Sequence, residues 1–205
     1  MLDRLIRINC KTLLLSAGSV LGIFGAAANA AIITGYTVVG NGNGTATVSI
    51  INNDIVITGK NFTSLGPIDI TFNTANSGGT NTYVVGEGIT NNVTPAVTWT
   101  DYHEQLGSGT GNNFVPAAAN VSFALPDNNS NFSVMTLAPQ TIDMSGGTVT
   151  PGNTLSVGFD LTVPDQVGTN GITFTLRQFP SVPEPASLSL LGLGALSLLG
   201  RRRRA

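Results

Sequence analysis

The sequence predicts an all-β protein: a single antiparallel β-sandwich of about nine to eleven short strands, flanked by an N-terminal signal peptide and a C-terminal hydrophobic helix. Three observations predict it. Residues 32–179 are rich in Thr, Val, Ile, Asn and Gly, their apolar side chains recur with a period of two, and no helix-period segment interrupts them. Without helices to cover a parallel sheet, two antiparallel sheets face to face are the natural way to bury one side of every strand.

The first element, residues 1–30, has the three parts of an export leader. MLDRLIRINCK is a basic start, TLLLSAGSVLGIFGAA is an apolar run, and Ala28-Asn29-Ala30 places small residues around a cut expected after Ala30. Its partners are then the secretion translocon and a signal peptidase. The single cysteine, Cys10, falls inside this leader, so no disulfide is expected to hold the fold together.

Residues 31–180 form the predicted ectodomain. In TLSVGFDLTV, Leu155, Val157, Phe159, Leu161 and Val163 share one face, opposite Ser156, Gly158, Asp160 and Thr162. ITFTLR places Ile172, Phe174 and Leu176 inward, with Thr173, Thr175 and Arg177 outward, and IDITF turns Ile68, Ile70 and Phe72 inward. Turn signals such as Gly40-Asn41-Gly42-Asn43-Gly44, Asn52-Asn53-Asp54, Gly146-Gly147 and Pro151-Gly152 separate the runs, because Asn and Gly tolerate the positive φ of hairpin turns. FPSVPEP is read as a short linker out of the domain.

Charge limits what such a domain binds. Of nine basic residues only Lys60 and Arg177 lie in the middle, against nine acids there, a formal balance of −7. A surface so poor in cations has no electrostatic footprint for nucleic acid.

The richest stretch is VTWTDYHEQLGSGTGNNF, with the chain's one Trp and one His. As a strand it puts Trp99, Asp101 and His103 on one face and Tyr102 and Glu104 on the other. An Asp101–His103 pair orients an imidazole for base catalysis only if a nucleophile stands beside it, and the sequence points to none, so no enzyme activity and no catalytic residue are assigned. Trp99, Asp101, Tyr102 and His103 are instead candidate ligand contacts. For sugar, the candidate aromatic faces are Tyr36, Tyr83, Trp99 and Tyr102. One His and no mature Cys cannot build a common zinc site. Asp127-Asn128-Asn129, Asn52-Asn53-Asp54 and the Asp101/Glu104 pair offer oxygens to calcium, but none follows the calcium-loop spacing and turn chemistry explains the Asx clusters equally well. No cofactor and no metal are expected.

The last element, residues 181–205, has its own logic. Residues 186–200 carry no charge and as a helix would reach about 22 Å, against about 30 Å of hydrocarbon. Arg201, Arg202, Arg203 and Arg204 follow, each costing roughly 2.5–3.5 kcal/mol at the bilayer centre, and positive charge stays cytoplasmic. The tail therefore stalls in the inner membrane with the ectodomain outside. Pro183 and Pro185 around Glu184 hold the backbone extended and stop the tail helix from propagating upstream. Val-Pro-Glu-Pro, a short apolar segment and a terminal arginine cluster together resemble the PEP-CTERM sorting signal of exported bacterial proteins. The resemblance implies recognition by an exosortase, removal of the tail near Pro183-Glu184-Pro185, and transfer of the body to the cell surface or a biofilm exopolysaccharide matrix. In that role these residues are substrate. The Trp-x-Asp-Tyr-His stretch resembles segments in ectodomains that carry the same tail, where it implies a structural signature. The functional expectation is a surface or extracellular-matrix structural protein. The alternative is a carbohydrate-binding module that retains exopolysaccharide.

Overall fold

A computed structural model describes residues 31–182, apart from 118–119 and 167–169. The predicted leader and tail helix, with Ala28, Ala30, Pro183, Glu184, Pro185 and Arg201, Arg202, Arg203 and Arg204, lie outside the described residues. Among those described, no helix is long and apolar enough to cross a membrane.

Twelve strands form among the described residues: β1 (Ile32–Val39), β2 (Gly44–Ile51), β3 (Asp54–Phe62), β4 (Ile68–Ala75), β5 (Thr80–Asn91), β6 (Asp101–Ser108), β7 (Val115–Pro116), β8 (Ser122–Asn129), β9 (Val134–Ala138), β10 (Thr141–Ser145), β11 (Thr154–Pro164) and β12 (Thr173–Ser181). One sheet has the order β1-β4-β12-β6-β10-β9, with the two-residue β7 paired to β6; the other runs β2-β3-β5-β11-β8. This is the expected sandwich, with two differences. Strand β7 takes the count past eleven, and β3 pairs with β5 in parallel. The parallel pair arises because the chain leaves β3, crosses to the other sheet as β4, and returns as β5 in its original direction.

Alternation sets the core. Leu155, Val157, Phe159, Leu161 and Val163 of β11 are all buried, as are Ile68, Ile70 and Phe72 of β4 and Phe174 and Leu176 of β12. Phe72 stacks on Phe174 at 5.2 Å, and Phe123 meets Phe159 edge-on at 5.2 Å. Both ring pairs join neighbouring strands of one sheet. Between the sheets Phe62 of β3 meets Tyr102 of β6 edge-on, and each large apolar side chain buried between the two inner faces contributes about 1.5–3 kcal/mol to holding them together.

The outer face of the seven-stranded sheet is partly roofed, which corrects the outward placement of Thr175. After β6 the chain turns through a short 3-10 helix (Gly111–Asn113) and folds back over the sheet. A Cβ on Gly107 would lie 2.4 Å from the Val115 carbonyl oxygen and 2.6 Å from the Phe114 ring, so only glycine permits the return. Thr175, in register with Gly107, is consequently buried, its hydroxyl 3.2 Å from that of Thr71. The linker reading of Phe179, Pro180 and Ser181 is also corrected: these residues complete β12, paired with His103, Tyr102 and Asp101 of β6.

Candidate functional site

Strands β6 and β12 carry polar chemistry on both faces. On the outer face, Asp101, His103 and Gln105 are half-exposed, while Tyr102, Glu104 and Leu106 turn inward. His103 sits opposite Phe179 on one side and Asp143 on the other. Its Nδ1 lies 2.7 Å from Asp143 Oδ1, its Nε2 lies 3.1 Å from Ser181 Oγ, and its ring stacks on Phe179 at 4.9 Å. Asp101 does not orient the imidazole; it accepts the Thr100 hydroxyl at 2.7 Å. Two residues along a strand advance about 6.6 Å, whereas cross-strand neighbours stand about 4.5–5.5 Å apart at Cβ, so Asp143 is the nearer carboxylate.

Hydroxyl, imidazole and carboxylate thus stand in the order of nucleophile, base and orienting acid. Acyl transfer also needs N–H donors for the developing oxyanion. Here the adjacent Thr100 N–H is committed to the Ser181 carbonyl at 3.0 Å. The arrangement fixes the end of β12.

The two aromatic members of the candidate contact set lie elsewhere. Trp99 bridges Val149 before β6 begins, and a bend at Thr100 resets the strand parity, so Trp99 joins Tyr102 in the core. Their rings lie 6.2 Å apart at 26°, with Phe62 edge-on to both. Tyr83 is buried too, its hydroxyl donating to the Ala31 carbonyl at 3.2 Å and accepting the Ile33 N–H at 2.9 Å. Of the four aromatics considered for sugar, Tyr36 alone is exposed. Ligand contact on this stretch therefore narrows to Asp101 and His103. Two of the Asx side chains are already engaged: Asn129 Oδ1 accepts from the Phe132 and Asn131 N–H groups, and the Asn53 and Asn81 side-chain amides bond to each other.

Inside the sandwich lies a cluster that alternation did not disclose. In β3, Ile55 and Ile57 face inward, and strict parity would turn Lys60 out. A bulge at residues 58–59, with Gly59 at φ +59°, shifts the register and brings Lys60 into the core. Its Nζ contacts the Glu87 carboxylate of β5 and the side-chain carbonyl of Gln178 of β12, and lies 3.4 Å from the Tyr102 hydroxyl. Gln178 Nε2 in turn donates to Glu87 Oε1 at 2.5 Å. Glu104, directly across from Gln178 in β6, is wholly buried, and neither of its oxygens completes a hydrogen bond. Burial, reinforced by the Glu87 charge, holds the Glu104 carboxyl well above the usual carboxylate range, against smaller pulls from Lys60 and the Gln178 amide. Burial likewise raises the Tyr102 hydroxyl, with the Glu87 and Glu104 charges adding to it.

The second cation of the middle is also paired. Arg177 grips Asp69 with Nε at 2.7 Å and a terminal nitrogen at 2.9 Å, donates to the Gly111 carbonyl at 2.6 Å, and lies 4.0 Å over the Phe114 ring. The Gly111 N–H and the Asn41 amide complete the Asp69 shell, which is how an outward-facing carboxylate comes to be fully buried.

The described chain is a β-sandwich whose last strand, β12, leads into a C-terminal sorting signal. The signal is the PEP-CTERM protein-sorting motif, whose family model matches residues 181–204. The chain thus carries a PEP-CTERM sorting motif, and that motif implies export and processing by an exosortase. No curated protein and no solved structure matches the chain. Ser181 is both the first matched residue and the last residue of β12.

Proposed function

We propose that the ectodomain is a non-enzymatic structural component of the cell surface or biofilm exopolysaccharide matrix, delivered there once an exosortase has trimmed the tail near Pro183-Glu184-Pro185. One observation carries this reading. The sorting motif starts within β12, which lies between β4 and β6 in the seven-stranded sheet, so load on the C-terminus left after trimming enters the middle of a sheet. The surface suits the surroundings. Both middle cations are engaged, Lys60 in the core and Arg177 against Asp69, so the charge that faces a hydrated polymer is carried by acids. Replacing Pro183, Glu184 and Pro185 by alanine is expected to leave uncleaved protein in the inner membrane and to deplete the matrix fraction. A processed ectodomain that is freely soluble in the medium, and whose loss leaves the matrix mechanically unchanged, would overturn the structural reading.

The second reading, retention of exopolysaccharide, has one feature in its favour. The outer face of the five-stranded sheet holds a groove of about 630 Å³ across β3, β5 and β11, lined by Val56, Thr58, Val84, Gly86, Gly88 and Gly158 among others. A side chain added at Gly86 or Gly88 would meet no neighbour, so neither glycine is required by packing at these positions. Binding to the producer's own polysaccharide that is lost in Gly86→Trp would favour this reading over the first.

A further inference from the structure

The cluster between the sheets is costly as packing. Removing a lysine and a glutamate from water carries a penalty of several kcal/mol per ion, and apolar residues of the same volume are often at least as stabilising. Yet β3 carries a bulge and a left-handed Gly59 whose effect is to bring Lys60 inward. Residues from both sheets converge there: Lys60 and Glu87 from one, Tyr102, Glu104 and Gln178 from the other.

The contacts also have a chemical direction. Lys60 Nζ meets the oxygen of the Gln178 amide, while one carboxylate, Glu87, touches Nζ through Oε2 and the Gln178 nitrogen through Oε1. That carboxylate spans an amine and the nitrogen that would depart if the amine displaced it. Glu104 lies directly across from Gln178 on the facing strand β6, and neither of its oxygens completes a hydrogen bond. We propose that Lys60 and Gln178 form an intramolecular isopeptide bond, with Glu87 as the proton shuttle, joining β3 of one sheet to β12 of the other.

The step balances without a co-reactant. Lys60 gives a proton to Glu87 and, as a neutral amine, attacks Gln178 Cδ. The Cδ–Nζ bond forms, the electron pair of the amide C=O moves onto Oε1, and a protonated Glu104 donates to that oxyanion. As the intermediate collapses, Oε1 returns that proton to Glu104, the carbonyl re-forms and the Cδ–Nε2 bond breaks. The departing nitrogen takes one proton from Nζ and one from Glu87 and leaves as ammonium; Glu87 ends as a carboxylate, and nothing is oxidised or reduced. Fixed contact supplies the effective concentration that a free amine and amide lack, and burial keeps water from competing. The bond itself does not depend on the matrix reading, but its use does. β12 runs directly into the sorting motif, so tension on the C-terminus left after trimming would pass to the second sheet through a covalent link instead of through packing alone.

Intact mass of the exported full chain under denaturing conditions tests this. The expected value falls below that of the processed sequence by one ammonia, and fragmentation yields a branched peptide containing both Lys60 and Gln178. Glu87→Gln, which keeps the volume and removes the shuttle, is expected to restore the full mass. A folded, protease-resistant wild-type chain at full mass overturns the proposal. So does a deficit of one water with Lys60 joined to Glu87 or Glu104, and so does an ammonia loss that fragmentation maps to an Asn. The wild-type measurement decides the matter alone if the variant does not fold.

Discussion

The imidazole of His103 and the hydroxyl of Ser181 meet at 3.1 Å across β6 and β12, so the residue that opens the sorting motif is held by the chain's single histidine. Asp143 holds the imidazole from the other side and Phe179 lies flat against it. If this relay fixes the root of the tail, Ser181→Ala and His103→Ala should each cost about 0.5–1.5 kcal/mol. The double variant should cost less than their sum, because both remove the same contact. Urea denaturation of the ectodomain measures this. An organophosphorus serine probe should leave Ser181 unlabelled, since the neighbouring Thr100 N–H is already committed; stoichiometric labelling abolished by His103→Ala would show an active nucleophile.

Asp69 and Arg177 make the stronger electrostatic prediction. The carboxylate is fully buried and receives two guanidinium nitrogens, the Gly111 N–H and the Asn41 amide. Removing one partner of a buried pair strands the other, so Asp69→Ala should cost about 3–5 kcal/mol. Arg177→Lys should recover only part of the wild-type stability, because an ammonium cannot match the two-pronged contact or the stacking on Phe114. The checks are denaturation midpoints and the rate of proteolysis in residues 109–117, which this pair ties down.

Much of the fold was legible because one-sided burial writes itself into a strand as a period of two: Leu155 to Val163 in β11 and Ile68 to Phe72 in β4 lie as their alternation requires. What escaped was whatever breaks the period or crosses strands. Lys60 is turned inward by a bulge and a positive φ at Gly59, and a bend at Thr100 moves Trp99 off the face of Asp101 and His103. The partners of His103 lie 40 and 78 residues away, a separation that leaves no local mark. One signal was available for the buried cluster. With two cations among nine acids in the middle of the chain, each had a ready choice of partners, and the structure pairs Lys60 with Glu87 and Arg177 with Asp69.

Asp165 should give the ectodomain part of its acid sensitivity. Desolvation pulls its carboxyl upward, but the backbone N–H groups of Gly79, Gly78 and Ser77 outweigh it and hold the group below its usual value. A carboxylate depressed in the folded state adds stability above its unfolded value of about 3.9 and loses it as the pH falls through the folded one. Asp165→Asn should therefore lower the melting temperature at neutral pH and flatten its decline in acid. Parallel curves for the two proteins would show that these N–H contacts are not made in solution.

Glu104 should act in the opposite sense. Its carboxyl is raised by burial first and by the Glu87 charge second, so the folded state keeps a proton that the unfolded chain releases above about 4.3. Between the unfolded and the folded value the unfolded chain binds fewer protons, and stability falls as pH rises. Glu104→Gln keeps the shape, cannot ionise, and leaves the Lys60–Glu87–Gln178 contacts in place. The variant should match the wild type in acid and exceed it increasingly as the pH rises above the unfolded value, as read from denaturation midpoints across a pH series. The same substitution separates two roles for this side chain. If Glu104 supplies the proton to the amide oxygen, Glu104→Gln should slow appearance of the ammonia-deficient species while raising stability at neutral pH; if it is only a buried neutral acid, stability should rise and the mass should be unchanged at every time point.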